Sequence, residues 1–188
     1  MTSVRDRPGG RATTLAIVGA LLGAVEATVM WRIGLTEALV AFAYLGAVGT
    51  IASVIDMRTR RLPNKVILPS YPIMAALLAV AAGLQQDWWP LERAVIAATV
   101  VAGFYLALGL GFPYGFGFGD VKLGGLLAVG LGWLGWSTLA TGVLAGWCLA
   151  ALVVLAVRVI RPGRWDRNRT VALGPWLCLG ALVAVAVR

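Results

Sequence analysis

The sequence predicts an all-α fold, a polytopic membrane protein of about seven transmembrane helices, and three observations carry that prediction. The first is composition: 60% of the 188 residues are hydrophobic, and the mean hydropathy of +0.88 lies outside the range of soluble domains. The second is length. Apolar runs that approach or exceed the roughly 17–25 residues needed to cross a bilayer recur along the whole chain, with no soluble domain between them. The third is charge placement, because arginine and lysine gather in alternate short loops, as the rule of positive residues on the cytoplasmic side requires.

Taken in order, residues 1–11 carry Arg5, Arg7 and Arg11 and lead into an apolar run from Ala12 to about Trp31, read as a helix leaving the cytoplasm. A secretory signal peptide also starts basic and turns apolar. This run is longer than a usual signal core and lacks a clear small-x-small cleavage site, so it is expected to be retained. Gly19 and Gly23 form a small-xxx-small pair suited to close helix contact. After a short outer turn, Ala38 to Ile55 returns inward and ends at Asp56. The loop from Asp56 to Lys65 is densely basic, and Val66 to Leu84 goes outward with Pro69 and Pro72 near its start, where a missing amide is best tolerated.

Trp88 and Trp89 mark an outer loop that suits the interfacial aromatic belt. Ala94 to about Phe112 runs inward and Pro113 breaks the helix. About Val121 to Trp136 then runs outward, and Thr138 to Val157 turns back after a very tight connection, with Gly142 and Gly146 offering another close-packing face. Arg158, Arg161, Arg164, Arg167 and Arg169 fill the last inner loop, and Val171 to Val187 leaves the carboxyl terminus outside. Seven spans with a cytoplasmic amino terminus result. Residues 1–35 form the amino-terminal segment and an extra helix, and residues 36–188 a six-helix membrane domain.

Composition also removes whole classes of chemistry. Histidine is absent, which eliminates Ser-His and Cys-His nucleophile pairs and histidine-bound metal. Cys148 and Cys178 lie singly in apolar runs, without the paired spacing of a zinc or redox site, and are read as packing residues. No metal and no cofactor is expected. The formal charge of +8 could suggest nucleic acid in a soluble protein, but topology explains it here, and the partner expected from it is the lipid bilayer, with no nucleic acid. Arg58, Arg60, Arg61 and Lys65 then set orientation and touch anionic lipid. Nothing in the sequence sets an oligomeric state.

Carboxylates are left as the leading candidates. Glu37, Asp87 and Glu92 fall on the outer side, and Asp6 and Asp166 on exposed inner segments beside arginines, where each reads as a solvated charge. Glu26 lies inside the first span, a costly position, and is read as a hydrogen-bonded or neutralised packing group. Asp56 ends one span and Asp120 begins another at the same cytoplasmic face. Two carboxylates a few ångströms apart resist double ionisation, so one keeps a proton while the other accepts one, as an aspartic peptidase needs. The macrodipole at the head of its helix favours the Asp120 anion and assigns it as the base, although a coupled pair can exchange roles. Position alone is equally compatible with two aspartates that merely cap or end helices at the interface.

The flanking motifs shift the balance. Asp56 with Arg58, Arg61, Leu62, Pro63 and Asn64 is followed, after a helical hairpin, by Gly117-Phe118-Gly119-Asp120-Val121-Lys122-Leu123. Together they resemble the two signatures of the type IV prepilin peptidase family, membrane aspartic peptidases of the GxGD type. Leu173-Gly174-Pro175-Trp176-Leu177 resembles that family's segment at the start of the final span. The resemblance implies an inner-membrane endopeptidase that removes a short basic leader from type IV pilin or pilin-like precursors at the cytoplasmic face. It makes Asp56 and Asp120 the catalytic pair, with Gly117, Gly119, Lys122, Pro63 and Asn64 supporting. Gly117 and Gly119 would shape the approach of an extended substrate, and Lys122 is expected to reach the interface rather than pair with Asp120. The methyltransferase domain of longer family members has no counterpart in these residues, so a short, peptidase-only form is implied.

Two other readings make different demands. A non-catalytic pilus or secretion assembly scaffold would survive loss of the aspartates. A carboxylate-dependent transporter calls for acids near the bilayer midplane in repeated halves, and the chain places its key acids at the rim and shows no convincing repeat. A Ser-Lys leader peptidase is disfavoured, because Lys65 and Lys122 both fall inside.

Overall fold

The computed structural model describes residues 8–111, 117–160 and 172–188, with side chains from residue 16 onward. Among these residues the chain forms seven α-helices and no strand: α1 (Pro8–Ile33), α2 (Leu39–Thr59), α3 (Asn64–Gln85), α4 (Trp89–Gly111), α5 (Phe118–Leu134), α6 (Trp136–Ile160) and α7 (Gly174–Val187). The helices α1, α2, α3, α4 and α6 are each long and apolar enough to cross a membrane. The protein is therefore a multi-pass, all-α membrane protein. The basic segments expected at residues 1–7 and 161–171, and the break at Pro113, lie outside the described residues.

The organising helix is α5. It is apolar on every side, the pattern of a helix enclosed by others rather than one with a single buried stripe, and each residue from Leu123 to Trp133 is buried. Glycines let its neighbours come close. A Cβ on Gly124 would run into the Tyr105 ring of α4, one on Gly130 would stand 2.5 Å from Leu45 Cδ2 of α2, and one on Gly132 2.5 Å from Ala97 Cβ of α4. At its carboxyl end, the Arg93 guanidinium donates from Nε to Gly132 O at 2.6 Å and from Nη2 to Trp133 O at 2.5 Å. A cation there satisfies carbonyls that lack intrahelical partners and complements the helix dipole.

A second close seam joins α6 and α7. A Cβ on Gly180 would stand 2.5 Å from Gly146 Cα and 2.6 Å from Gly142 O, so these backbones are in contact. The close-packing expectation for Gly142 and Gly146 is met. For Gly19 and Gly23 it is not, since nothing stands within 4 Å of a Cβ at either position. Helix α1 packs mainly on α2 and more lightly on α7.

Several boundaries differ from expectation for local reasons. Helix α3 starts at Asn64, behind an extended Pro63, so Pro69 and Pro72 lie within the helix and leave the carbonyls of Lys65 and Leu68 without their usual amide donors. Asp87 Oδ1 accepts the Trp89 N–H at 3.0 Å, which caps α4 earlier than the tryptophan loop suggested. Gly135, with φ of 145°, is the whole connection between α5 and α6. Cys178 sits against Gly49 O at 3.6 Å, whereas Cys148 is exposed on the bundle surface rather than packed. Away from the aspartates, Gln85 Nε2 donates to Glu37 Oε2 at 2.9 Å, and that bond holds the Glu37 carboxyl below its ordinary range.

Candidate active site

Asp56 and Asp120 come together at one end of the bundle. Asp56 lies in the last turn of α2 rather than beyond it, and is only 4% exposed. Its carboxyl accepts the Gly174 N–H at 3.1 Å from the first residue of α7. Asp120 occupies the first turn of α5, is 8% exposed, and accepts the Gly117 N–H at 3.3 Å. Each carboxyl thus takes an amide from a helix amino terminus, where free N–H groups and the macrodipole favour an anion. The dipole argument that singled out Asp120 therefore applies to both. The two carboxyls are close enough to interact electrostatically.

The local sequence explains how α2 and α5 are locked at this depth. Arg60 takes the left-handed conformation (φ 52°) and donates its N–H to Asp56 O at 2.8 Å, which ends α2. A side-chain-bearing residue pays about 1–2 kcal/mol in that conformation. Thr59 Oγ1 accepts the Arg61 N–H at 3.3 Å and braces the turn. The chain then lays Leu62 on Gly119, where a Cβ would stand 2.9 Å from Leu62 Cβ. Gly119 is a glycine because that leucine occupies the space.

Asn64 and Lys122 close the contact. Lys122 Nζ donates to Asn64 Oδ1 at 2.9 Å, so the lysine is tied to the head of α3 and does not pair with Asp120. Pro63 sits at the N-cap of α3 and its carbonyl accepts the amides of Val66 and Ile67 at 3.0 and 3.2 Å. Tyr71 Oη donates to Lys122 O at 2.7 Å and binds α3 to α5 a turn deeper. All seven residues singled out from the sequence, Asp56, Asp120, Gly117, Gly119, Lys122, Pro63 and Asn64, thus belong to one cluster. Glu26 does not, and its Oε1 is buried without a hydrogen-bond partner, so of the hydrogen-bonded or neutralised packing group expected there the neutralised form is the one left.

Two members of the site carried no chemical assignment in the sequence. Gly174 supplies the amide to Asp56, and a Cβ there would stand 2.8 Å from Asp56 Oδ2 and 3.4 Å from Leu123 Cδ2. Its signal was the glycine-proline pair at the head of an apolar run. Tyr105 is fully buried, accepts the Trp147 indole N–H at 3.1 Å and lies within electrostatic range of Asp120; a tyrosine in an apolar run gives no such signal. Among the described residues, no three carboxylate or cysteine side chains gather as a metal site. Two buried carboxyls in electrostatic contact can share one proton, the division that acid and base work requires.

The chain matches the type IV leader peptidase family over residues 43–156, which includes both aspartates. It is 32% identical over 137 residues to the prepilin leader peptidase/N-methyltransferase of Escherichia coli (strain K12), a match covering 70% of this chain and 56% of that relative. The chain thus spans about half the length of the relative. No solved structure matches it. On the strength of a match that takes in most of its length and both buried aspartates, this chain belongs to the type IV leader peptidase family.

Proposed function

We propose that the protein is a membrane-embedded aspartic endopeptidase that removes the short basic leader of a pilin-like precursor, with Asp56 and Asp120 as its catalytic pair. The observation that carries this reading is the burial of two carboxyls from separate helices at one end of the bundle, each held by a backbone amide. In the resting pair one carboxyl is ionised and the other protonated. The ionised member takes a proton from water, whose oxygen adds to the scissile carbonyl carbon. The protonated member gives its proton to the carbonyl oxygen. Collapse of the tetrahedral intermediate breaks the C–N bond, the departing amine takes up a proton from one carboxyl, and a hydroxyl of the intermediate returns its proton to the other, which restores the singly protonated pair.

The cluster of Arg58, Arg60, Arg61 and Lys65 beside the aspartate end supports a cytoplasmic position for it, since basic residues favour that side. A cytosolic leader joined to an apolar helix brings its scissile bond to that depth. Residues 36–188 then form the peptidase domain, with α1 outside the stretch that matches the family.

Co-expression with a pilin-like precursor tests the reading. Asp56→Ala and Asp120→Ala variants that insert normally are expected to leave the precursor uncut, since a general base alone contributes roughly 10²–10⁴-fold. Full processing by either variant would support the assembly-scaffold reading instead.

A further inference from the structure

The loop from α2 to α3 lies against the aspartate end of the bundle, and its sequence dictates its shape. A residue that precedes proline is held away from helical backbone, and Pro63 is itself extended, with φ of −75° and ψ of 115°. Leu62-Pro63 is thus a short extended strap between two helices. The Leu62 side chain fixes where it runs, because it stands against Gly119, the residue before Asp120.

The residues on either side of Leu62 have their backbone groups engaged. Arg60 gives its N–H to Asp56 O. Thr59 Oγ1 accepts the Arg61 N–H at 3.3 Å and lies 3.0 Å from the Arg61 carbonyl oxygen. Pro63 has no N–H, and its carbonyl accepts the amides of Val66 and Ile67. Leu62 differs from all three, since neither its N–H nor its C=O has a partner. In extended backbone these two groups point to the same edge, and they can exchange two bonds with one residue of a second strand. An extended peptide is the ligand that such an edge takes, by main-chain bonds.

Peptide cleavage calls for that ligand. A helix spends its N–H and C=O groups on itself, so a segment that offers its carbonyl to attack is unwound and carries groups in need of partners. Paired strands lie about 4.8 Å apart, which puts a segment bonded to Leu62 one strand spacing from a loop that rests on Gly119, next to Asp120. We propose that Leu62 docks the substrate through its backbone, exchanging two hydrogen bonds with one residue of the extended segment that carries the scissile bond. This rests on the leader-cleavage reading.

The test uses wild-type protein in liposomes and a synthetic precursor with a basic leader ending in glycine joined to about 20 apolar residues, the length of a membrane span. In a series of probes, the amides flanking the scissile one are replaced singly by esters, which removes an N–H and leaves every side chain in place. One position, or two adjacent ones, is expected to raise KM roughly 2- to 12-fold, the effect of losing a neutral hydrogen bond, with little change in kcat. The other esters are expected to match the all-amide probe. Leu62→Pro keeps extended backbone and removes the N–H, so the all-amide probe should show the raised KM there and the sensitive ester should add less than it does in wild type. Arg61→Cys, in an Asp120→Asn background without Cys148 and Cys178, reads the contact even where Leu62→Pro fails to insert. It is expected to form a disulfide with a precursor cysteine at the sensitive residue and not with one a helical turn further along. Esters that act nowhere or equally everywhere, a sensitive position undiminished in Leu62→Pro, or no disulfide at that position would overturn the docking, and wild-type cleavage would leave the peptidase reading intact. Absence of cleavage of the all-amide probe would overturn both.

Discussion

Helices α5 and α1 each carry a long apolar stretch, yet one is enclosed and the other nearly bare. Every residue of α5 from Leu123 to Trp133 is buried, whereas 6% of the apolar window of α1 is. Glycine marks the difference. On α5 it stands where Tyr105, Leu45 and Ala97 press against the backbone; on α1, Gly19 and Gly23 face open space. The acids differ in the same way, since Asp120 has an amide donor and a carboxylate neighbour while Glu26 Oε1 has no hydrogen-bond partner. Hydrophobicity qualifies a helix for the membrane, and small residues opposite large ones decide which helix becomes the core.

Three substitutions sharpen that contrast. Gly124→Val should have the largest effect on the fold, because its side chain would enter the space of the buried Tyr105 ring. A loss of roughly 1–3 kcal/mol is expected, read as a lower unfolding temperature in detergent. Gly174→Ala should act on the site more than on the fold. Its Cβ would displace the Asp56 carboxyl, and losing a bond to a charged group costs about 1.5–3 kcal/mol. That corresponds to a fall of roughly 10- to 150-fold in kcat/KM, with membrane insertion retained. Gly23→Ala should be the mildest, within about 0.5 kcal/mol of the parent. A large loss there would mean that α1 is packed more tightly than its open glycines indicate.

The helices and the pairing of the two aspartates were legible in the sequence, because both rest on patterns local to a stretch: apolar length, alternating loop charge and two short motifs. What escaped depended on contacts between distant stretches. Leu62 gives no sign that it rests on Gly119, and Asn64 none that it receives Lys122. The small-xxx-small spacing recurs in α1 and α6, yet only Gly142 and Gly146 have a partner backbone close enough to use it. Of the two forms expected for Glu26 the sequence could not choose one, because the choice depends on a donor from another stretch, and among the described residues none meets Oε1.

The central claim is that Asp56 and Asp120 work as one unit, and a double-substitution cycle on precursor cleavage measures this directly. With Asp56→Asn, Asp120→Asn and the double variant at equal membrane levels, residues acting as a unit give non-additive losses. The account predicts that each single variant loses at least roughly 10²-fold in rate and that the double variant is no slower than the worse single. Losses that multiply in the double variant, or a single variant that keeps its rate, would contradict it.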